Sequence, residues 1–294
     1  MAREDYAAQV ALLVRILPYV AKEEIFALKG GTAINLFYRD LPRLKDRTES
    51  LAEINDAMDR IATVIEGGIT GAKAQRIAGG GGGATRALAR LGAAEIKIET
   101  SPVTRGVVHD PEQREVSEAV EEEFGYAMMN IVSFEDLFGG KLHAAVDRQH
   151  PRDLYDVKLL YENEGFTDTL FRTFLIYVAS SPRPPHELLN PNLINLDQPY
   201  AREFQGMTKD TVNLTELIAT RDRLIGDIQS RMDENAKRFL RTLHEGDTDF
   251  DAIGRPQAAE LPAVRWKLIN VNKLKADNPK KHAAQGEELE KLLG

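Results

Sequence analysis

The hydrophobic period changes along this chain, and that change restricts the fold more than any other feature. Leu51, Ile54, Met58, Ile61 and Ile65 recur at intervals of 3, 4, 3 and 4, one face of an α-helix that Gly67-Gly68 closes. Further on, Ala94-Glu95-Ile96-Lys97-Ile98-Glu99-Thr100 alternates strictly, the pattern of a half-buried strand. Ile96 and Ile98 fall on one side of it, and Glu95, Lys97 and Glu99 on the other. From about residue 133 onward only the helical period is found. A chain of this kind packs helices on a sheet in its first part and helices on helices in its second.

The rest of the pattern fills in that outline. Tyr6, Val10, Leu13 and Leu17 mark an opening helix. Ile25 to Leu28 reads as a buried strand, Gly30-Gly31 as a turn, and Thr32 as the cap of a helix carrying Ile34, Leu36 and Phe37. That helix stops before Leu41-Pro42. Five glycines at 79–83 make a flexible connector. Ser133 with Asp136 is a capping signature for a helix over 137–148, and Pro151 starts a second, with Leu154, Val157 and Leu160 turned inward. A third carries Leu170, Phe171, Phe174, Leu175 and Val178. The proline-rich stretch 182–199 reads as a loop, 215–245 as one long helix ended by Gly246, and 263–293 as a charged helical tail. The expected fold is α/β (α+β): an α/β domain over 1–125 and a helical domain over 126–294.

Composition narrows the function classes. A chain of 294 residues buries roughly three quarters of its unfolded surface and needs no staple. It has no cysteine, so disulfides and thiolate metal sites are excluded. No basic start with an apolar run opens it, and no stretch approaches a membrane span, so a cytoplasmic location is expected. The net charge of −8 argues against a protein that coats nucleic acid non-specifically, but leaves room for a local basic surface. One basic cluster is Lys141, Arg148, Arg152 and Lys158; another is Arg265, Lys267, Lys273, Lys275, Lys280 and Lys281. Solvated helix faces account for such clusters as well as ligands do.

Two short blocks carry candidate chemistry. A glycine turn at a helix start offers unpaired N–H groups and a positive dipole end, which suits a phosphate. By itself Gly30-Gly31-Thr32 reads more readily as a plain strand-to-helix turn. Lys141 and Arg148, seven apart, share a helix face and both suit phosphate charge. Asp153 and Asp156, three apart, also share a face, where an ion-pair cluster between helices is the competing account. His109, His143, His150 and His186 do not fall at metal-ligand spacings. Nor do the five glycines match a phosphate loop, since no Gly-Lys-Ser/Thr follows.

Leu28-Lys29-Gly30-Gly31-Thr32-Ala33-Ile34-Asn35-Leu36-Phe37, followed by Asp40-Leu41-Pro42-Arg43-Leu44, resembles the opening of the AbiEii-type nucleotidyltransferase toxins, a branch of the polymerase-β-like superfamily. Lys141-Leu142-His143-Ala144 followed by Arg152-Asp153-Leu154-Tyr155-Asp156 resembles that family's second signature. The resemblance implies a nucleotidyltransferase-like mixed sheet with flanking helices. It also implies a triphosphate held by Gly30, Gly31, Thr32, Lys141 and Arg148, with catalytic positions at Lys141, Asp153 and Asp156. An NTP and Mg²⁺ are the implied cofactors. A cognate AbiEi-like antitoxin and an RNA (tRNA included) or protein acceptor are the implied partners, with no membrane. The implied setting is a toxin–antitoxin or phage-defence system.

One departure stands out. The family places an Asp-x-Asp strand after Pro42-Arg43-Leu44, whereas here Leu44 runs into Lys45-Asp46-Arg47-Thr48 with no Asp-x-Asp or Asp-x-Glu before Leu51. The chain is short there by about a strand's length. Asp46 and Glu49 suit helix N-terminal charges. Glu99, at the position of the superfamily's third carboxylate, is the remaining metal candidate, with an exposed strand charge as its other reading. A member that binds nucleotide or antitoxin without metal-dependent transfer is therefore the alternative to an active transferase.

Overall fold

The computed structural model describes residues 2–24, 26–29, 33–38, 51–77, 85–100, 106–208 and 211–294. It divides into two compact units, Met1–Ser133 and Phe134–Gly294.

In the first unit, α1 (Ala2–Val20) and α2 (Leu51–Gly68) are the two long helices. Val10, Leu13, Leu17, Met58, Ile61 and Ile65 are all buried, as their spacing requires. Gly68 is still helical and lies so close to Tyr19 that a Cβ there would run into the ring; it is a packing contact between α1 and α2. Strands β1 (Lys73–Ile77), β2 (Thr85–Leu91) and β3 (Ala94–Thr100) form an antiparallel sheet in that order. Its register places Arg86 opposite Glu99 and Arg90 opposite Glu95. Both pairs close, at 2.6 and 2.5 Å, so one face is a ladder of opposite charges while Ala87, Ala89 and Ile98 are buried.

A second ribbon pairs β4 (Glu112–Glu115) with β5 (Met128–Ile131), with helix α3 (Glu118–Phe124) between them in sequence. The strand expected at 25–28 is reduced to one parallel bridge between Leu28 and Ile131, made by Leu28 N–H to Asn130 O and Val132 N–H to Leu28 O. Of the helix expected after the glycine turn, the described part includes a π-helical stretch, Ile34–Tyr38, with Leu36 O accepting from Ser117 N–H. Thr32, Gly30, Gly31 and the five glycines lie outside the described residues, as does the junction of Leu44 with Lys45.

The second unit is helical. Helices α4 (Phe134–Asp147), α5 (Pro151–Asn163) and α6 (Asp168–Ala179) bury Phe138, Leu142, Leu154, Val157, Leu160, Phe171 and Phe174. The proline-rich stretch is not all loop: Pro185 opens α7 (Pro185–Leu189), and α8 (Asp197–Glu203) follows. The long helix expected over 215–245 is two, α9 (Leu214–Ser230) and α10 (Glu234–Glu245). Asp233 breaks it because its carboxylate caps α10 through Ala236 N–H and also takes the Arg172 guanidinium. Asn278-Pro279 divides the tail likewise into α11 (Pro262–Asp277) and α12 (Pro279–Leu293). No described helix is long and apolar enough to cross a membrane.

Candidate functional site

Lys141, Arg148, Asp153 and Asp156 come together where α4 turns into α5. Lys141 Nζ lies 3.0 Å from Asp153 Oδ1 and 2.6 Å from Asp156 Oδ2. Arg148 forks onto Asp153, Nε to Oδ2 at 2.6 Å and Nη2 to Oδ1 at 3.0 Å. The Lys141 ammonium sits on a side chain only 10% exposed, whereas the Arg148 side chain is 64% exposed. Asp153 and Asp156 are buried. Two cations thus face two anions, with Arg148 as the member open to a ligand.

Burial sets the stakes for these charges. It opposes the charged form of Lys141, but Asp156 and then Asp153 outweigh it and hold the ammonium above its ordinary value. Asp153 is governed by the same balance. Burial pushes its carboxyl up, and the Lys141 charge with the Arg148 hydrogen bonds brings it below the usual range. Arg152 takes no part; its Nε donates to Glu203 O.

The two glycines before Lys141 have a packing role. A Cβ at Gly139 would stand 3.1 Å from Thr173 Cγ2, and one at Gly140 would stand 3.1 Å from Tyr177 Cε1. They let α4 close on α6, where Tyr177 Oη donates to buried Asp136 at 3.1 Å.

The turn between the helices contains residues that the sequence did not single out. Gln149 is buried and has φ 49°, the only described non-glycine residue in the left-handed region. Its Nε2 donates to Asn192 O at 2.7 Å, and its Oε1 accepts from Ile194 N–H and Arg221 Nη1. On the other side of Arg148, Arg183 Nη1 donates to both the carbonyl and the carboxylate of Asp147. Lys267, buried with its pKa pushed down to about 8 by desolvation, donates to Arg183 O at 2.6 Å. These partners are far apart in sequence, and no local spacing announces them.

Glu99 belongs to the first unit. Its carboxylate meets Arg86 at 2.6 Å and Lys97 at 3.8 Å on the charged face of β3. No group of three or more His, Asp or Glu among the described residues is arranged to hold a metal ion. A carboxylate bracketed by two cations does not by itself fit a two-ion centre, which needs several oxygen ligands.

The family model described as "Nucleotidyl transferase AbiEii toxin, Type IV TA system" matches residues 11–270. No curated protein matches the sequence. Among solved structures, the nucleotidyltransferase toxin MenT4 from Mycobacterium tuberculosis H37Rv is similar at a TM-score of 0.57 and 14% identity, over 83% of this chain and 94% of that one. At that identity the likeness is one of fold.

Proposed function

This chain belongs to the nucleotidyl transferase AbiEii toxin family of type IV toxin–antitoxin systems, and from that premise we propose that it binds an NTP and passes the nucleotide to an RNA acceptor. Arg148 meets the triphosphate, with Lys141 behind it. Asp153 and Asp156 fix Lys141 in place. In the transfer, the acceptor hydroxyl oxygen bonds to the α-phosphorus. The bond from that phosphorus to the bridging oxygen breaks, pyrophosphate leaves, and the hydroxyl proton passes to solvent. A cognate antitoxin is the expected partner, and the cytoplasm the expected location.

The observation that carries this reading is the exposed Arg148 guanidinium, anchored by Asp153 but open on its outer side. A preset fork of this kind suits phosphate oxygens. Titration of a fluorescent NTP tests it: Arg148→Ala should weaken binding about tenfold or more. Unchanged affinity would move the triphosphate elsewhere.

A second reading is favoured by the sequence from Leu44 to Leu51, which has no Asp-x-Asp. In it the chain binds nucleotide, or its antitoxin, without metal-dependent transfer. Metal-independent NTP affinity with no labelled RNA supports this version. Mg²⁺-dependent labelling supports the first.

A further inference from the structure

Helix α11 turns one face into its unit and leaves the other uncovered. Ala263, Val264 and Lys267 are buried. Trp266 and Ile269, three apart, are 51% and 66% exposed, unusually open for such large apolar side chains. Asn270 and Lys273 continue the same stripe and are also exposed.

The charge around the stripe is the reverse of the chain's. Residues 262–281 hold six Lys and Arg against one acid, Asp277, in a protein of net charge −8. Three of the six are already engaged. Arg265 pairs with Glu260, Lys275 pairs with Glu245, and Lys267 is buried on the Arg183 carbonyl. Lys273, Lys280 and Lys281 are exposed, and none of them makes an ion pair with a described residue.

We propose that the outer face of α11, with Lys280 and Lys281 at the start of α12, is a docking surface for single-stranded RNA. The Trp266 indole stacks on an unpaired base, Ile269 covers the adjoining apolar edge, and the three lysines meet phosphates on the flanking strand. Trp266 and Lys273 are about 10 Å apart along the helix, so base and phosphate contacts stay separate. Aromatic platforms inside a cationic track are the general means of holding an unpaired strand. A protein partner is the weaker fit, because the core of a protein interface is depleted in lysine. The surface rests on the reading that the acceptor is RNA, and gives that acceptor a place to bind.

Trp266 is the chain's only tryptophan, so its fluorescence reports this face alone. The full chain is titrated with an unstructured single-stranded RNA oligonucleotide, the matching duplex, and heparin. The expected result is saturable quenching by the single strand and at least tenfold weaker binding of the duplex. Lys273→Glu with Lys280→Glu and Lys281→Glu should weaken single-strand binding at least tenfold. It should also lower the slope of log affinity against log salt by about 2. Trp266→Ala, read by a labelled oligonucleotide, should cost about tenfold, and Trp266→Phe should restore most of it. Thermal unfolding confirms that each variant is folded. Arg148→Ala should leave RNA binding intact while weakening NTP binding, so failure of the nucleotide site and of this surface are read separately. The proposal is overturned if the single strand does not quench Trp266. It also fails if heparin binds and quenches as well as RNA does, or if the purified antitoxin quenches where RNA does not.

Discussion

Gln149 Nε2 donates to the Asn192 carbonyl at 2.7 Å, which fastens the residue beside Arg148 to a loop 43 positions away. The same side chain accepts from Ile194 N–H and Arg221 Nη1, and Arg221 returns to the Ile194 carbonyl at 2.9 Å. Gln149 maintains this with φ at 49°, which costs a residue with a Cβ roughly 1–2 kcal/mol. Two substitutions separate strain from tether. Gln149→Ala loses the hydrogen bonds and keeps the strain; Gln149→Gly loses the bonds and relieves it. Both should destabilise, with the glycine variant about 1 kcal/mol more stable than the alanine one. Urea unfolding measures the difference, and an alanine variant at least as stable as the glycine one would refute it.

The Lys141 cluster gives a second stability prediction. Lys141→Met leaves Asp153 and Asp156 buried with one cation fewer, and removing one partner of a buried pair costs about 3–5 kcal/mol. Asp153→Asn should cost less in acid than at neutrality, and the sign follows from its lowered pKa. A carboxyl held below its unfolded value stabilises the fold above that value and ceases to do so as pH falls through the folded one. The wild-type advantage over Asp153→Asn should therefore be full at pH 7 and shrink below about pH 4. A constant gap across that range would mean Asp153 is not ionised in the cluster.

A third prediction concerns His244 on α10, whose ring stacks on His282 of α12 with centroids 4.0 Å apart. His282 Nε2 also donates to the His244 carbonyl at 2.9 Å. Burial lowers the His244 pKa, and so does the neighbouring His282. Lys275 and His186 act in the same direction, while Glu245 opposes them. His186 on α7 is lowered too, first by burial. An imidazole depressed in the folded state stabilises above its unfolded pKa, and that stability is lost as pH falls below it. The melting temperature should drop between pH 7.5 and 5.5. His244→Phe, which keeps a flat ring against His282, should flatten that dependence, as a thermal melt at each pH would show.

Which parts of this molecule are legible in its sequence follows from how local their contacts are. The 3-4 spacing of Met58, Ile61 and Ile65 and the alternation of Ala94 to Thr100 each lie within one element, and both are found as elements of that type. Strands β1 and β2 escape notice because Lys73 to Ile77 is largely polar and β2 buries alanines, Ala87 and Ala89, in place of branched residues. Their stability lies in pairing, with Arg86 and Arg90 matched to Glu99 and Glu95 across the ladder. The candidate site divides in the same way. Lys141, Arg148, Asp153 and Asp156 fall on one helix–turn–helix and are readable from spacing. Gln149, Arg183 and Arg221 are recruited through partners 36 to 72 residues distant, and only the folded chain brings them together.

The last prediction concerns the junction of Leu44 and Lys45. An acidic pair on a strand would anchor metal ions and, through them, stabilise the charge of the transferring phosphoryl group. On the second reading of its function, a chain without Asp-x-Asp between Leu44 and Leu51 binds NTP yet fails to transfer nucleotide in a Mg²⁺-dependent way. The remedy is to insert a strand bearing Asp-x-Asp between Leu44 and Lys45. Among the described residues β3 pairs with β2 alone. Both proteins would be incubated with labelled NTP, Mg²⁺ and total bacterial RNA. Labelled RNA from the restored protein alone is the result that this reading expects. Robust Mg²⁺-dependent labelling by the chain as it stands would contradict it and would make Asp46, Glu49 or Glu99 a working ligand. Alanine substitution at each of the three would then identify which one.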